Sequence, residues 1–128
     1  MKICLSSTSN NLEAPLDPRF GRCPYLIIID IETMQFEAIP NLAAGTKEGA
    51  GIHAAQTIAN KGVKVLVTGN VGPNAFRALS AANIEIITNA SGTIRTVVEK
   101  FKIGELKKTG SPTVGGHFGS ETEQRRRA

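Results

Sequence analysis

Apolar residues change their spacing along the chain, and the changes mark out its elements. The segment "KICLSS" alternates Cys4 between Ile3 and Leu5 and reads as a short buried strand with Cys4 as a small core residue. "YLIIIDI" and "QFEAIP" then read as two strands joined by a turn around Glu32 and Thr33, which makes a hairpin. Beyond it the period lengthens. "GIHAAQTIANKG" sets Ile52, Ala55 and Ala59 on one helical face and stops at Gly62. "VKVLVTG" is a strand. "PNAFRALSAAN" puts Phe76 and Leu79 on one face behind Pro73, which suits a first helical turn because its missing N–H has no partner there to lose. "IEIIT" is the fifth strand. Ile94, Val97, Val98 and Phe101 follow the i, i+3, i+4, i+7 rule in a third helix that closes at Gly104. Helices are expected near residues 50–61, 73–82 and 93–103, and no internal repeat is visible.

This order, βββαβαβα, implies parallel strands linked by right-handed crossovers after an initial hairpin. With the first strand central, the expected fold is a three-layer α/β/α arrangement around a five-stranded mixed sheet of order 3-2-1-4-5, strand 2 antiparallel. It resembles the ribonuclease H-like architecture. Residues 1–106 form the expected domain. The remainder, 107–128, reads "KKTGSPTVGGHFGSETEQRRRA", carries no apolar period and is expected to be a flexible polar tail, with His117 mobile in it.

Composition narrows the class without changing this picture. A chain of 128 residues, 41% hydrophobic and 20% charged, suits one domain with one sizeable core. No apolar run approaches the roughly 20 residues of a membrane span, and no signal-peptide core follows Lys2, so a cytoplasmic protein with no membrane partner is expected. Two cysteines are too few for a disulfide framework, and both thiols should be reduced. The net charge of +4 is mild and Arg125, Arg126 and Arg127 fall in the polar tail, so nucleic acid is not indicated as a partner.

Topology gives the glycine-rich segments a shared address. "LDPRFGRCPY", "NLAAGTKEGAGIH" and "TGNVGPNA" follow strands 1, 3 and 4 and should meet at one sheet edge, where open α/β sheets usually bind ligands. Helix N-termini near Gly51 and Pro73 favour an anion there. Arg19 and Arg22 offer forked donors for carboxylate or phosphate oxygens. The competing reading is a solvated pair, one of them bonded to Asp17. Phe20 is expected to seat the loop on the body, and Gly21 to allow a tight turn or a close ligand. Beside arginine, the Cys23 thiol should have a lowered pKa and could ligate a soft metal; the alternative is a half-buried structural thiol. His53, on the polar side of its helix beside Gln56, is a metal ligand or a surface histidine. The connection from Ser9 to Pro24 is long and is expected to move in the absence of a ligand.

Several catalytic signatures are missing. Ser6 and Ser7 stand where a two-metal nuclease of this architecture would need its first aspartate. "TGNVGPNA" lacks the lysine and spacing of a P-loop, and His53 and His117 form no triad with a nucleophile and carboxylate.

"RFGRCPY", "GAGIHAAQTIANKGVKVLVTGNVGPNAFRAL", "IEIIT" and "VVEKFKIGEL" together resemble the dinitrogenase iron–molybdenum cofactor biosynthesis family, over residues 1 to about 106. The resemblance implies a ribonuclease H-like fold and a carrier or storage role for an anionic iron–sulfur or iron–molybdenum cluster or its precursor, with cofactor-assembly proteins as partners. It does not imply catalysis. The positions it carries over are Arg19, Phe20, Gly21 and Arg22, then Gly49, Gly51 and His53, then Gly69, Gly72, Pro73 and Asn74. Two readings stand beside the carrier: a regulatory or scaffold module that takes a simple anion or a partner protein through the same loops, and an enzyme acting on a phosphorylated small molecule.

Overall fold

The structure, a computed structural model, describes residues 1–46 and 48–114. His117 and the three tail arginines lie outside the described residues. Five strands form one sheet of order β3-β2-β1-β4-β5, built from β1 (Lys2–Ser7), β2 (Tyr25–Asp30), β3 (Phe36–Pro40), β4 (Val63–Val67) and β5 (Glu85–Ile87). β2 runs antiparallel to both β1 and β3, while β4 is parallel to β1 and β5 to β4. Topology and strand order are those expected from the sequence.

Alternation along β1 and β2 decides the layers, because successive strand residues face opposite sides. Cys4, Leu26 and Ile28 join Leu66 and Ile86 in a core under α1 (Ala50–Asn60) and α2 (Pro73–Ala81). Ile3, Leu5, Ile27 and Ile29 join Val65 and Val67 in a second core under α3 (Ile94–Lys102). α1 differs from its expected face. Its buried residues are Ala50, Ala54, Ala55 and Ile58, whereas Ile52 is 36% exposed. The small residues let α1 lie close to the sheet, and the rotation leaves Ile52 turned away from the core.

Two segments are more closely held than their sequence suggests. The connection between β1 and β2, expected to be mobile, buries Leu12, Leu16 and Phe20. Its backbone bonds the ends of other elements: Asp17 N to Ser6 O at 2.9 Å, Leu16 N to Gly92 O at 2.8 Å, and Asn70 N to Pro18 O at 2.8 Å. Loop apolar residues carry no period, so this seating has no signature in the sequence. Residues 107–114, assigned to a flexible tail, also make specific contacts. Thr109 N donates to Ile86 O at 2.6 Å beside β5, and Thr113 N donates to Val71 O at 2.9 Å. Among the described residues no helix is long and apolar enough to cross a membrane.

Candidate functional site

β1, β3 and β4 all end at one edge of the sheet, so the three glycine-rich connections meet there. Between them lies a cleft of about 380 Å³, lined by the Arg19–Arg22 turn, by Gly49 to Ile52 at the start of α1, by Asn70 and Gly72 to Ala75 at the start of α2, and by Val114.

How α1 and α2 begin determines what the cleft offers. Their cap residues are Gly49, in the left-handed region at φ 78°, and Gly72, and neither cap supplies a side-chain hydrogen bond. The first-turn amides of Ala50, Gly51 and Ile52 in α1, and of Asn74 and Ala75 in α2, take no acceptor among the described residues. Pro73 has no N–H at all. All five amides belong to residues on the cleft wall. α3 is built differently: Thr93 Oγ1 accepts from Thr96 N at 3.1 Å, and Ala14 O and Leu12 O accept from Ile94 N and Arg95 N at 2.9 and 2.8 Å. The helix end away from the cleft is thus satisfied by the protein, and the two ends at the cleft are left as donors with the positive ends of their dipoles facing it.

Glycine makes this juxtaposition possible. A Cβ on Gly21 would stand 2.8 Å from Gly51 N and one on Gly51 would stand 2.9 Å from the Ala75 Cβ. The Phe20–Arg22 turn therefore rests directly on the backbone of α1, and α1 in turn rests on α2. Gly69 is off the cleft wall; a Cβ there would meet Pro18 Cα at 2.6 Å, so its lack of a side chain serves the seating of the loop.

Both arginines border the cleft and both already have protein partners. Arg19 grips Asp17 with two parallel bonds, Nε to Oδ1 at 3.1 Å and Nη2 to Oδ2 at 3.0 Å, while its amide donates to Oδ1 at 2.9 Å. Asp17 is buried and the Arg19 side chain is mostly exposed. Burial alone would raise the Asp17 carboxyl, but the hydrogen bonds and charge of Arg19 outweigh it and hold the pKa below the usual carboxylate range. Arg22 reaches across to the connection after β3, donating from Nη1 to Ala44 O at 2.9 Å and to Thr46 O. Beneath the turn, Asn41 Nδ2 donates to Cys23 O at 2.9 Å and Gly21 O at 3.2 Å. Ser6 Oγ donates to Asp17 O and meets Thr68 Oγ1, each at 2.6 Å.

Cys23 and His53 stand apart from the other candidates. Cys23 is completely buried, its thiol donates to Phe20 O at 3.1 Å, and it does not line the cleft. Burial first, and then the negative charge of Asp17, pushes its pKa up to about 12. This is opposite to the lowering expected from neighbouring arginines, because burial of the thiol dominates. His53 is exposed on α1 and also off the wall. No group of three or more His, Cys, Asp or Glu side chains is poised to hold a metal among the described residues. Asn74 is on the wall, with its Oδ1 accepting from Arg77. Asp17 holds Arg19 as the competing reading of the sequence had it for one arginine, whereas sequence reasoning missed Asn41, Asn70 and Val114. Its one available signal for the donor amides was glycine, rather than Ser, Thr, Asp or Asn, at the caps of both cleft helices.

The chain has relatives with this architecture. It superposes on the apo form of the orange protein from Desulfovibrio gigas with a TM-score of 0.85 and 38% identity, covering 88% of this chain and 95% of that one. A Thermotoga protein described as a NifB candidate aligns with a TM-score of 0.76 and 31% identity, over 88% and 97% of the two chains. An uncharacterized protein of Methanocaldococcus jannaschii is 32% identical over 111 residues, 84% of this chain and 91% of its own. The family model described as dinitrogenase iron-molybdenum cofactor matches residues 1–104, which include the sheet, all three helices and every cleft residue except Val114, and the chain therefore belongs to that family.

Proposed function

We propose that the protein is a non-catalytic binding or carrier protein for an anionic iron–sulfur or iron–molybdenum cluster or its precursor, acting in the cytoplasm with cofactor-assembly proteins as partners. One observation carries this reading: two helix N-termini open into the same cleft with five amides that take no acceptor among the described residues. The cleft, about 380 Å³, exceeds what one small oxyanion would fill, since a single water takes about 30 Å³ of liquid volume. Phe20, Ile52, Pro73 and Val114 give it an apolar lining that suits sulfide-bearing surfaces.

The donor set fits a cluster held as an intact anion. It does not fit iron ligated by the described residues, because among them neither thiol nor imidazole lines the cleft and Cys23 remains protonated. Arg19, Phe20, Gly21, Arg22, Gly49, Gly51, Gly72 and Asn74 then form the binding set, the amides and arginines balancing negative charge. Gly69 supports the loop they depend on.

A second reading follows from that same donor set. Amides and arginines without soft ligands also suit a simple oxyanion, as a regulatory or scaffold module would use. Anaerobic reconstitution with iron and sulfide, with and without molybdate, tests the two against each other. A coloured protein with stoichiometric metal after gel filtration supports the carrier. Colourless, metal-free protein that is stabilised by phosphate supports the anion module, and no response to either ligand rejects both.

A further inference from the structure

We propose that residues 107–114 are a working part of the binding site: a strap that supplies one wall of the cleft through Val114 and fixes the start of α2 through Thr113. The inference rests on the anion-binding reading above and adds a segment that lies beyond the family match, which ends at residue 104.

The strap is attached in three places. Leu106 packs against the core under α3, where the strap leaves the body. Thr109 then lies beside β5, with N donating to Ile86 O at 2.6 Å and Oγ1 accepting from Thr88 N at 3.1 Å, while Lys108 pairs with Glu85 at 2.9 Å. At its far end Thr113 and Val71 bond reciprocally: Thr113 N donates to Val71 O at 2.9 Å and Val71 N donates to Thr113 Oγ1 at 2.8 Å.

Val71 is the residue before Gly72, the cap of α2, so this clasp fixes the backbone from which the Asn74 and Ala75 amides are presented. Without Thr113 the amide of Val71, a buried residue, loses its acceptor. Val114 follows at once and lies in ordinary contact distance of Gly72, its Cγ2 3.7 Å from where a Cβ on that glycine would stand. It is an apolar side chain, 42% exposed, on the wall of a site whose donors come from elsewhere. A bound anion would bury that surface, and losing it exposes the neighbouring amides to water, which competes for them.

The test compares four forms of the protein: the full chain, a chain ending at Val114, a chain ending at Gly110, and the full chain carrying Val114→Asp. Each is titrated with inorganic phosphate and reconstituted anaerobically with iron and sulfide, and amide exchange is measured along α2 and at Val71. The chain ending at Val114 should bind like the full chain. The other two should bind roughly tenfold more weakly, as expected for loss of a partly buried valine or introduction of a like charge. Val71 should exchange slowly in every form except the one ending at Gly110. Binding that survives truncation at Gly110, or a rapidly exchanging Val71 in the full chain, overturns the strap. A chain ending at Val114 that has already lost binding overturns the assignment to Val114 by moving the role to 115–128. If the full chain binds neither probe, the anion-binding reading fails and takes the strap's role with it, an outcome separate from the others.

Discussion

Cys23 and Asp17 show how local surroundings set the chemistry of a residue. Since burial raises the Cys23 thiol to about 12, it should be nearly inert to a thiol reagent at pH 8 and react at once when the protein is unfolded. Its contribution to stability has a sign: a raised folded pKa favours folding below the unfolded value of about 8.5, and that contribution fades as pH climbs toward the folded value. Native labelling at the rate of a free thiol would show that Cys23 reaches solvent. Asp17 works in the opposite direction. Its lowered folded pKa gives stability that is present above the unfolded value of about 3.9 and is lost as pH falls through the folded one. Asp17→Ala should therefore lower stability by about 1–3 kcal/mol at pH 7, since it strips the turn of its acceptor, and the deficit should shrink in thermal melts near pH 3. A pH-independent deficit would mean that packing, and not charge, is what Asp17 contributes.

At the level of elements, the contact between the Phe20–Arg22 turn and α1 is the joint on which the cleft depends. Gly21→Ala forces a methyl group to within 2.8 Å of the Gly51 nitrogen, which the backbone can relieve only by lifting the turn away. It should cost roughly 1–3 kcal/mol, leave the far-ultraviolet circular dichroism unchanged and abolish anion binding. Unaltered affinity in this variant would mean that the turn is not part of the site. The elements themselves were legible because periodicity reports burial directly: the residues that alternate in β1 and β2 face the two cores, and the Ile94, Val97 and Val98 spacing is the buried stripe of α3. α1 was misread at Ile52, since its core face consists of alanines, which carry little hydrophobic signal. The turn, the Asn41 bonds and the strap left no trace for a different reason. They depend on atoms meeting across 18 residues or more, and no pattern within a segment encodes such a meeting.

For the molecule as a whole, parallel connections and a central β1 were enough to bring three loops together, and the position of the cleft followed from topology alone. Which of its residues would face the cleft did not follow, because Cys23 and Gly69 differ from their neighbours only in packing. The charged rim should make binding weaken with added salt. Arg22→Glu should remove it, both by reversing a charge on the wall and by releasing the loop carbonyls of Ala44 and Thr46 that Arg22 holds. Isothermal titration at two ionic strengths would check both expectations, and salt-independent binding would point to apolar contact as the main source of affinity.

Leaving α1 and α2 without side-chain caps has a thermodynamic consequence for the empty protein. Each is deprived of an interaction commonly worth about 1 kcal/mol, so on the anion-binding reading the empty form is less stable than its sheet and cores would allow, and a bound anion would supply acceptors that the described residues do not. Melting temperature thereby becomes a gauge of occupancy. Once the free ligand exceeds its dissociation constant, every further tenfold rise should add about 1.4 kcal/mol to the folded state. An empty chain that opens more readily is also one that proteases reach first, so on the proposed carrier role the abundance of the protein in a cell would follow the supply of its ligand.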